Sequence, residues 1–461
     1  DGNGGADNTE SLTITADGVT TFNGAVGGTE ELATLLINGG GTTVVDGTAS
    51  TFEASTITVD DDVTLNISTS FDGDTAVTFN GTIDSQASET NDLTVTSDVI
   101  TFAGDMGTAT NGELGNLTAT AGTQVVLGSA SNNVMIIEAQ EAVTMDNDAA
   151  ITLASGEVII DTTGGSDGDV DLGVVAHNAN NASLTVTTDG SAEIDTVALG
   201  TGNLEVTVDS DNDALTTENL TIGTGTNAII SAGDVELTGG QQDIITLNGN
   251  TAFTGDMTVT IGDAATQGTD GLIDINGNVI GSGTDSDLII NGGTNSQLTL
   301  DSVSSDPTDG TEVLVTTTGD QTYDVALLLE DDALLTSSAG DLTFSRFVDA
   351  RTGVLAGLTA TSTTGDNTFT QEVGSYVNPN QIGGNTAGLE YLYTDDLDGS
   401  GTAGGHSTTS AGTTYLNSNV QTQGGTQIYN DAVVVTSNIT LNDTGTTGIY
   451  FNNTLDSDAA A

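Results

Sequence analysis

Two short acidic runs have the residue spacing of a divalent cation site. In each run, aspartates alternate with single residues, as do the oxygen ligands at the start of a calcium-binding EF-hand loop. The twelfth position of such a loop is a bidentate Glu, but Leu220 occupies it in the first run and Ser407 in the second. Solvated turns are therefore the alternative interpretation of both runs. The candidate ligands for Ca²⁺ or another divalent cation are Asp209, Asp211, Asp213, Asp396 and Asp398.

The acidic excess extends over the whole chain. The sequence contains 66 Asp and Glu against two basic residues, Arg346 and Arg351, and its formal net charge is −64. Binding of nucleic acid uses Lys and Arg to displace counterions from phosphate, so we predict that nucleic acid is not a partner. We expect each Arg to neutralise a nearby carboxylate, such as Asp341 or Asp349. Dissolved cations must screen the remaining repulsion, which favours a protein of salty, extracellular surroundings.

The sequence offers no recognisable catalytic constellation. Acidic pairs arise by chance among so many carboxylates, and the chain contains no Cys. No stretch approaches the ~18 consecutive apolar residues of a membrane helix. We therefore predict a protein that is not an enzyme, requires no cofactor and does not insert into a membrane.

Short runs that alternate an aliphatic residue with Thr or Glu indicate β-strands along the whole chain. One face of such a strand is apolar and the other is polar, and β-branched Thr suits an exposed strand position. No segment has a convincing helical period, so the sequence predicts an all-β protein. The clearest runs begin at Leu12, Leu93, Leu117, Leu184, Leu204, Leu220 and Leu358.

A second motif joins these strands. It consists of a Phe, in most copies a Gly two residues later, and an apolar residue four residues later. We interpret it as an inward Phe, a bend in which Gly adopts an unusual φ, and a new inward residue on the next strand. The copies begin at Phe22, Phe79, Phe102, Phe253, Phe344 and Phe451.

The spacing of the strands predicts a long parallel β-helix, or β-solenoid. Successive Leu runs lie 24, 20 and 16 residues apart (93 to 117, 184 to 204 and 204 to 220). Such spacing is typical of solenoid coils, and the crossover rule favours right-handed coiling. The sequence shows no amphipathic helix that could cap a terminal coil, so we expect head-to-tail association of the protein with itself.

The chain changes character after residue 300, where all seven Tyr, both Arg and both Pro lie. We divide it into a regular β-solenoid over 1–300 and a continued solenoid over 301–461, with a Tyr-rich insertion at about 370–418. Specificity in a solenoid resides in segments that leave the stack, so this insertion is a candidate contact surface, with a decorative loop as the alternative. Its tyrosines are Tyr376, Tyr391, Tyr393 and Tyr415.

A near-duplicate pair of segments carries a family resemblance. Both copies contain the phrase G-x-Q-x-Y, at 319–323 and 425–429, followed by an aliphatic run and the Phe motif. Over 315–348 and 420–455 the chain resembles the coils of filamentous-haemagglutinin-like and autotransporter-like surface proteins. The resemblance implies a secreted right-handed β-helix that acts as an adhesin, a cell-surface fibre or an envelope coat.

Two functions follow from these observations. The first is a non-enzymatic structural or adhesive protein, the repeating subunit of a bacterial surface fibre, sheath or filament, which contacts itself and surface glycans or the cell envelope. The alternative is a secreted β-helix enzyme, a lyase or glycoside hydrolase that acts on polysaccharide. Glycoside hydrolysis would need two opposed carboxylates at the bond to be cleaved, so a groove lined by carboxylates would distinguish the two.

Overall fold

The computed structural model describes most of the chain. The described residues are 9–47, 50–165, 168–178, 181–209, 217–223, 229–262, 271–302, 312–351, 353–374, 388–395 and 412–458, without the side chains of 146–148 and 229. Within these ranges the regular elements are strands, and no helix there is long and apolar enough to cross a membrane. The strands belong to parallel, stacked coils that form a β-solenoid of about 16 turns, which confirms the predicted fold class.

The chain divides into two compact units, and the strands are numbered in chain order. Unit 1 comprises Asp1–Asp213 and Glu218–Leu220, and unit 2 comprises Ala214–Thr217 and Thr221–Ala461. Strand β19 (Asn219–Ile222) contains residues of both.

Unit 1 has one long sheet, here called sheet A, and a set of shorter strands. Sheet A of unit 1 contains β1 (Ser11–Thr15), β3 (Leu32–Asn38), β5 (Ser50–Val59), β7 (Thr69–Asp72), β8 (Ala76–Phe79), β10 (Leu93–Phe102), β11 (Leu117–Leu127), β13 (Val143–Leu153), β15 (Val170–His177) and β17 (Ala192–Ala198). The other strands are β2 (Val19–Phe22), β4 (Thr42–Val45), β6 (Asp62–Leu65) and β9 (Ile83–Ser85), and then β12 (Val134–Glu138), β14 (Glu157–Thr162), β16 (Ser183–Thr188) and β18 (Leu204–Thr207), which form sheet B.

Unit 2 repeats this arrangement of two sheets. Its sheet A contains β20 (Ile229–Ala232), β22 (Ile244–Asn248), β23 (Asn250–Phe253), β25 (Leu272–Asn276), β26 (Val279–Gly281), β28 (Gln297–Asp301), β29 (Val313–Thr317), β31 (Ala326–Leu329), β32 (Ala333–Ser337), β34 (Val348–Ala350), β35 (Leu358–Ser362), β37 (Leu392–Thr394), β40 (Gln427–Tyr429) and β43 (Ile449–Phe451). Its sheet B contains β21 (Val235–Gly239), β24 (Met257–Ile261), β27 (Leu288–Gly292), β30 (Gln321–Asp324), β33 (Leu342–Phe344), β36 (Asn367–Phe369), β38 (Thr413–Leu416), β41 (Ala432–Val435) and β44 (Leu455–Ser457), and β39 (Val420–Thr422) pairs with β42 (Leu441–Asp443).

The division into units falls between residues 213 and 221, whereas the sequence predicts a change of character at residue 300. The stacking continues unchanged past residue 300, because β28 pairs with β31 in register and places Leu300 beside Leu329. The change of composition after residue 300 therefore leaves the stacking of these described strands unaltered.

Similar residues stack in the interior because the coils are in register. In sheet A of unit 1, Leu93 lies beside Leu117, and Leu117 lies beside Val143. All three are fully buried, and complete burial of such a side chain contributes about 1.5–3 kcal/mol. The next residues along the strands, Thr94 and Thr118, face outward and form the matching polar ladder. This two-residue alternation is the pattern that the sequence shows.

Aromatic rings form ladders of the same kind. The rings of Phe52 and Phe71 lie 4.6 Å apart and nearly parallel, and those of Phe79 and Phe102 lie 5.7 Å apart. Stacked pairs contribute about 0.5–1.5 kcal/mol beyond their buried area. The predicted inward orientation of Phe79 and Phe102 is confirmed, since both are buried, whereas Phe22 is half-buried with its ring edge against Phe52.

The glycine of the Phe motif has a different role from the predicted one. Neither Gly81 nor Gly104 has a left-handed φ, so the predicted unusual φ was wrong. A Cβ on Gly81 would lie 2.6 Å from the carbonyl oxygen of Asp61, and one on Gly104 would collide with the carbonyl of Gly81. Stacked coils approach each other closely at this corner, so a residue without a side chain is required.

We expect the Gly104→Ala substitution to destabilise unit 1, because the methyl group would press on the backbone of the neighbouring coil. Overpacking of this kind costs about 1–3 kcal/mol. Gly24 is the matched control, since it holds the same place in the motif of Phe22 and a Cβ there meets no atom within 4 Å. Circular dichroism should show a lower melting temperature for Gly104→Ala and little change for Gly24→Ala. Equal effects of the two substitutions would contradict the close-approach explanation.

Candidate functional site

Three successive turns of unit 2 repeat one phrase, G-D-x-T followed by an aromatic residue, at 319–323, 340–344 and 365–369. Strands β30, β33 and β36 place the copies in register, with Tyr323 beside Phe344 and Phe344 beside Phe369. Their buried rings stack at centroid distances of 5.2 and 4.8 Å with nearly parallel planes. The threonines of the phrase point outward and form a hydroxyl ladder of Thr322, Thr343 and Thr368.

The aspartates of the phrase belong to a longer column at the start of the sheet B strands. The Oδ1 atom of each accepts a hydrogen bond, at 2.7–3.1 Å, from the backbone N–H of the residue stacked on it in the next coil. That residue is the next aspartate of the column in every case except the last, where Asp366 accepts from Thr413. We call these residues the Asp column: Asp234, Asp256, Asp287, Asp320, Asp341 and Asp366. Because paired strands lie about 4.8 Å apart, the column carries one carboxylate in every coil.

The glycine that precedes Asp256, Asp320, Asp341 and Asp366 leaves room for the carboxylate of the previous coil, whereas Ser286 precedes Asp287. A side chain on Gly340 would collide with Oδ1 of Asp320, and one on Gly365 would collide with Oδ1 of Asp341. A side chain on Gly319 would likewise collide with Oδ1 of Asp287. The Gly-Asp pair is therefore one packing unit, in which the glycine accommodates one rung of the column and the aspartate provides the next.

Buried hydroxyls close the turn that leads into the Asp column. Ser337 Oγ donates to the carbonyl oxygen of Gly319 at 2.7 Å and accepts from the N–H of Gly340 at 2.8 Å. Ser362 Oγ makes the same pair of bonds, to the carbonyl of Gly340 at 2.6 Å and from the N–H of Gly365 at 2.8 Å. Each hydroxyl thus joins two successive coils at the corner.

In the Asp column, hydrogen bonds stabilise the stack and repulsion between like charges destabilises it. Two carboxylates about 4.8 Å apart repel each other by about 1 kcal/mol in water, and a hydrogen bond to a charged acceptor contributes about 1.5–3 kcal/mol. Burial raises the pKa of Asp287; the hydrogen bond from the N–H of Asp320 opposes this, and the charges of Asp256 and Asp320 add to it. The hydrogen bond and the repulsion from the neighbouring carboxylates are therefore of similar size, and dissolved cations weaken the repulsion.

Unit 1 uses the same device with mixed residue types. Asp92 Oδ1 accepts from the N–H of Asn116 at 2.9 Å, and Asn116 Oδ1 accepts from the N–H of Ala142 at 3.1 Å. A Cβ on Gly115, which precedes Asn116, would lie 2.5 Å from Asp92 Oδ1. Asparagine keeps the acceptor and omits the charge, so this column repels itself less than the Asp column does.

The phrase G-x-Q-x-Y forms a buried polar network inside unit 2. The hydroxyl of Tyr323 donates to Gln321 Oε1 at 2.8 Å, and Gln321 Nε2 donates to the carbonyl of Thr336 in the next coil at 2.9 Å. In the second copy, the hydroxyl of Tyr429 donates to Gln427 Oε1 at 3.1 Å. Burial raises the pKa of both tyrosines, which keeps their hydroxyls protonated as donors. The first copy lies in sheet B and the second in sheet A, so the duplicated segments share local structure and occupy different sheets.

Both arginines pair with carboxylates of the preceding coil. Arg346 Nε lies 3.0 Å from Asp324 Oδ1, and Arg351 Nη1 contacts the carboxylate of Glu330. The predicted neutralisation is confirmed, but these partners lie 22 and 21 residues away in sequence, and the sequence suggested closer ones. The register explains the difference, since it places the residues of one coil beside those of the next.

A carboxyl pair lies at the end of β28 in unit 2. The side chains of Asp301 and Asp331 are hydrogen bonded to each other, and Asp331 Oδ2 also accepts from Ser302 Oγ at 2.5 Å. Burial raises the pKa of Asp301 to about 7, and the hydrogen bond to Asp331 and the charge of Glu330 contribute to the rise. The pair therefore holds a proton under conditions in which an ordinary Asp is ionised.

Of the predicted cation ligands, the structure describes Asp209. Asp209 is buried and has a left-handed φ of 50°. One of its carboxylate oxygens lies within 4.8 Å of a carboxylate oxygen of Glu218, which is also buried. A cation site at this place stays a prediction. The other candidates, Asp211, Asp213, Asp396 and Asp398, lie outside the described residues.

The structure brings two of the four predicted contact tyrosines together. The rings of Tyr391 and Tyr393 stack on the outer face of sheet A with centroids 4.5 Å apart, and the hydroxyl of Tyr391 bonds to Asp332. Tyr415 points outward from β38 in sheet B, beside Thr368. Tyr376 lies outside the described residues.

The predicted insertion at 370–418 contains strands of the stack. Strand β37 pairs with β35 and β40, and β38 pairs with β36 and β41, all in parallel. The alternation is hard to see in sequence because these strands are only three and four residues long and lie among Gly, Ser and Asn. Residues 375–387 and 396–411, which complete the predicted insertion, lie outside the described residues.

Sequence reasoning missed the Asp column. The signal was the Gly-Asp pair that precedes several sheet B strands, at 255–256, 319–320, 340–341 and 365–366. Its regularity is hidden because the loops differ in length, so the stacked aspartates are 33 residues apart at Asp287 and Asp320 but 21 apart at Asp320 and Asp341.

We expect the stability of unit 2 to depend on pH through Asp301. Its pKa of about 7 in the folded state lies above the ordinary value of 3.8, so the folded state binds the proton more tightly. This stabilisation is complete below pH 3.8 and is lost as the pH rises through about 7.

The Asp301→Asn variant keeps a neutral hydrogen-bonding side chain at every pH. Its melting temperature should therefore fall less between about pH 5 and pH 8 than that of the wild type. Asp456→Asn, which removes an exposed carboxylate from β44, is the control and should keep the wild-type dependence. Identical pH profiles for Asp301→Asn and the wild type would show that the pair does not hold the proton.

No family model, curated protein or solved structure matches the chain.

Proposed function

We propose that the chain is a non-enzymatic extracellular structural or adhesive protein, the repeating subunit of a bacterial surface fibre, sheath or filament. The observation that carries this proposal is the Asp column, in which acidic side chains act as hydrogen-bond acceptors between successive coils. Charge used in this way belongs to the scaffold and is repeated in successive coils of unit 2. The function that fits a scaffold of repeated, acidic coils is mechanical and surface-forming.

The same column supports a location outside the cell. One carboxylate in every coil requires counterions, and both arginines of the chain are already engaged with Asp324 and Glu330. Dissolved cations must therefore supply the neutralisation. The resemblance to filamentous-haemagglutinin-like and autotransporter-like proteins favours the same location.

Head-to-tail association is the proposed mode of assembly. Leu12 of β1 and Leu455 of β44 continue inward ladders, beside Leu35 and Val433, which are fully buried. Leu12 is nevertheless 37% exposed and Leu455 50% exposed. A strand added in parallel beside either would cover them and satisfy the open backbone edge. We propose that a second copy of the chain supplies that strand.

Surface tyrosines are the proposed lateral or ligand contact. The stacked rings of Tyr391 and Tyr393 lie half-buried on sheet A, and Tyr415 lies half-buried on sheet B. Tyrosine combines a large contact area with a polar tip, which suits protein partners and sugar rings. Glycans or other components of the cell envelope are the proposed ligands.

We expect the purified chain to form filaments in high salt with Ca²⁺ present, because cations screen the repulsion between acidic copies. Electron microscopy should show fibres, and light scattering should show growth with protein concentration and a return to small particles in low salt. A particle that stays monomeric in high salt with Ca²⁺, at every concentration, would overturn the assembly proposal.

One observation favours the enzymatic alternative. Sheet B of unit 1 carries a cleft of about 440 Å³ whose lining includes the carboxylates of Glu157 and Glu205, with Thr185 between them. Thr185 Oγ1 lies 3.5 Å from Glu157 Oε1. Glycoside hydrolysis requires two carboxylates that flank the scissile bond, so this cleft is the place where the enzymatic alternative would bind and cleave a polysaccharide.

A panel of acidic and neutral polysaccharides separates the two functions. Release of reducing or unsaturated sugar that is lost in Glu157→Gln would establish the enzyme and overturn the structural proposal. Binding without turnover is the result expected of an adhesive protein.

A further inference from the structure

Two fully buried carboxylates lie in direct contact inside unit 2. Asp395 follows β37 of sheet A and is 1% exposed; Asp431 precedes β41 of sheet B and is 0% exposed. Their side chains are within hydrogen-bonding distance of each other. Two carboxylates removed from water in this way either share a proton or need a positive partner between them or beside them.

Lysine and arginine do not supply that partner. Both basic residues of the sequence, Arg346 and Arg351, are paired with the carboxylates of Asp324 and Glu330. The groups that contact Asp431 are instead oxygen-bearing. Its Oδ1 lies 3.0 Å from Thr394 Oγ1 and its Oδ2 lies 2.7 Å from Thr414 Oγ1.

Asn367 provides a second, independent observation. Its side chain is 0% exposed, its Nδ2 lies 3.0 Å from Asp395 Oδ1, and its Oδ1 has no hydrogen-bond partner among the residues that the structure describes. In the structure Nδ2 faces Asp395, so a half-turn of the amide would give up that bond and direct the oxygen at the carboxylate pair. A buried amide oxygen without a partner is costly, and a cation at the carboxylate pair would satisfy it.

We propose that Asp395, Asp431 and Asn367 form the core of a buried divalent cation site, with Thr394 and Thr414 as additional oxygen ligands. These five side chains offer seven oxygen atoms, counting two from each carboxylate and one from each of the other three residues.

The chemistry of this set selects Ca²⁺. Ca²⁺ takes six to eight oxygen ligands in flexible geometry, whereas Mg²⁺ demands near-octahedral geometry and retains several waters. Metals that prefer imidazole nitrogen or sulfur find neither among these side chains, and a neutral amide nitrogen such as that of Asn367 does not coordinate metals. A bound ion would tie β37 of sheet A to β38 and β41 of sheet B, and would thereby fix the strand that carries Tyr393. The site is independent of whether the protein assembles into fibres.

Calorimetric titration of Ca²⁺ into the metal-depleted full chain tests the proposal. With about 0.15 M NaCl present to screen the surface charges, we expect one tight Ca²⁺ site in addition to weak binding by the exposed carboxylates. Saturation of the tight site should raise the melting temperature. Asp431→Asn should weaken the tight site by about tenfold or more, because a charged ligand is lost. Asp341→Asn removes the same charge from the Asp column and should retain the tight site.

A second variant keeps the test decisive if Asp431→Asn does not fold. Asn367→Ala leaves both carboxylates in place and should weaken the tight site while the circular dichroism spectrum stays that of the wild type. The proposal is wrong if the wild type shows only weak binding, if both variants bind as the wild type does, or if acid alone raises the melting temperature and Ca²⁺ has no effect. That last result would mean that the two carboxylates share a proton instead of a cation.

Discussion

Parallel stacking in register places each repeated residue about 4.8 Å from its counterpart in the next coil, and the rest of the structure depends on this constraint. For an aliphatic residue the constraint is favourable, and it produces buried ladders such as Leu93, Leu117 and Val143. For an aspartate the same constraint creates a line of like charges. The chain contains 66 acidic residues and two basic ones, so ion pairing cannot be its general solution.

The backbone provides the compensation. In the Asp column, each carboxylate is a bond acceptor for the N–H of the next rung, as in the bond from Asp366 N to Asp341 Oδ1 at 2.8 Å. This bond requires the carboxylate to lie along the stack, and in most coils of the column a glycine in the following coil leaves that position open, as at Gly365. The buried hydroxyl of Ser362 then holds the glycine turn. The acidic residues of the column, the glycine turns before them and the placement of their charges are therefore all consequences of the in-register stacking of the coils.

Alternation and spacing were sufficient to predict the fold. The runs at Leu93 and Leu184 show the two faces of a strand directly, and the inward position of Phe102 follows from its motif. The role of Gly104 was misjudged because a close approach between coils leaves no mark that distinguishes it from a bend with unusual φ.

The polar contacts could not be predicted, because they join residues whose separation depends on loop length. Asp395 adjoins the acidic run that the sequence singled out, but its contact with Asp431, in the turn between β40 and β41, joins two stacked coils and has no signature in spacing. Arg346 illustrates the same limit, since its partner Asp324 lies in the coil before it. The sequence therefore indicates which residue types recur, and the register decides which of them meet.

Aspartates of the column stabilise the stack as acceptors although they destabilise it as charges. The most direct test compares Asp341→Asn with Asp341→Ala, which remove the same charge and differ in whether the N–H of Asp366 keeps its partner. The asparagine variant should unfold at or above the wild-type temperature in low salt. The alanine variant should be less stable than the asparagine variant by about 0.5–1.5 kcal/mol, the value of one hydrogen bond. Equal stability of the two variants would contradict the claim.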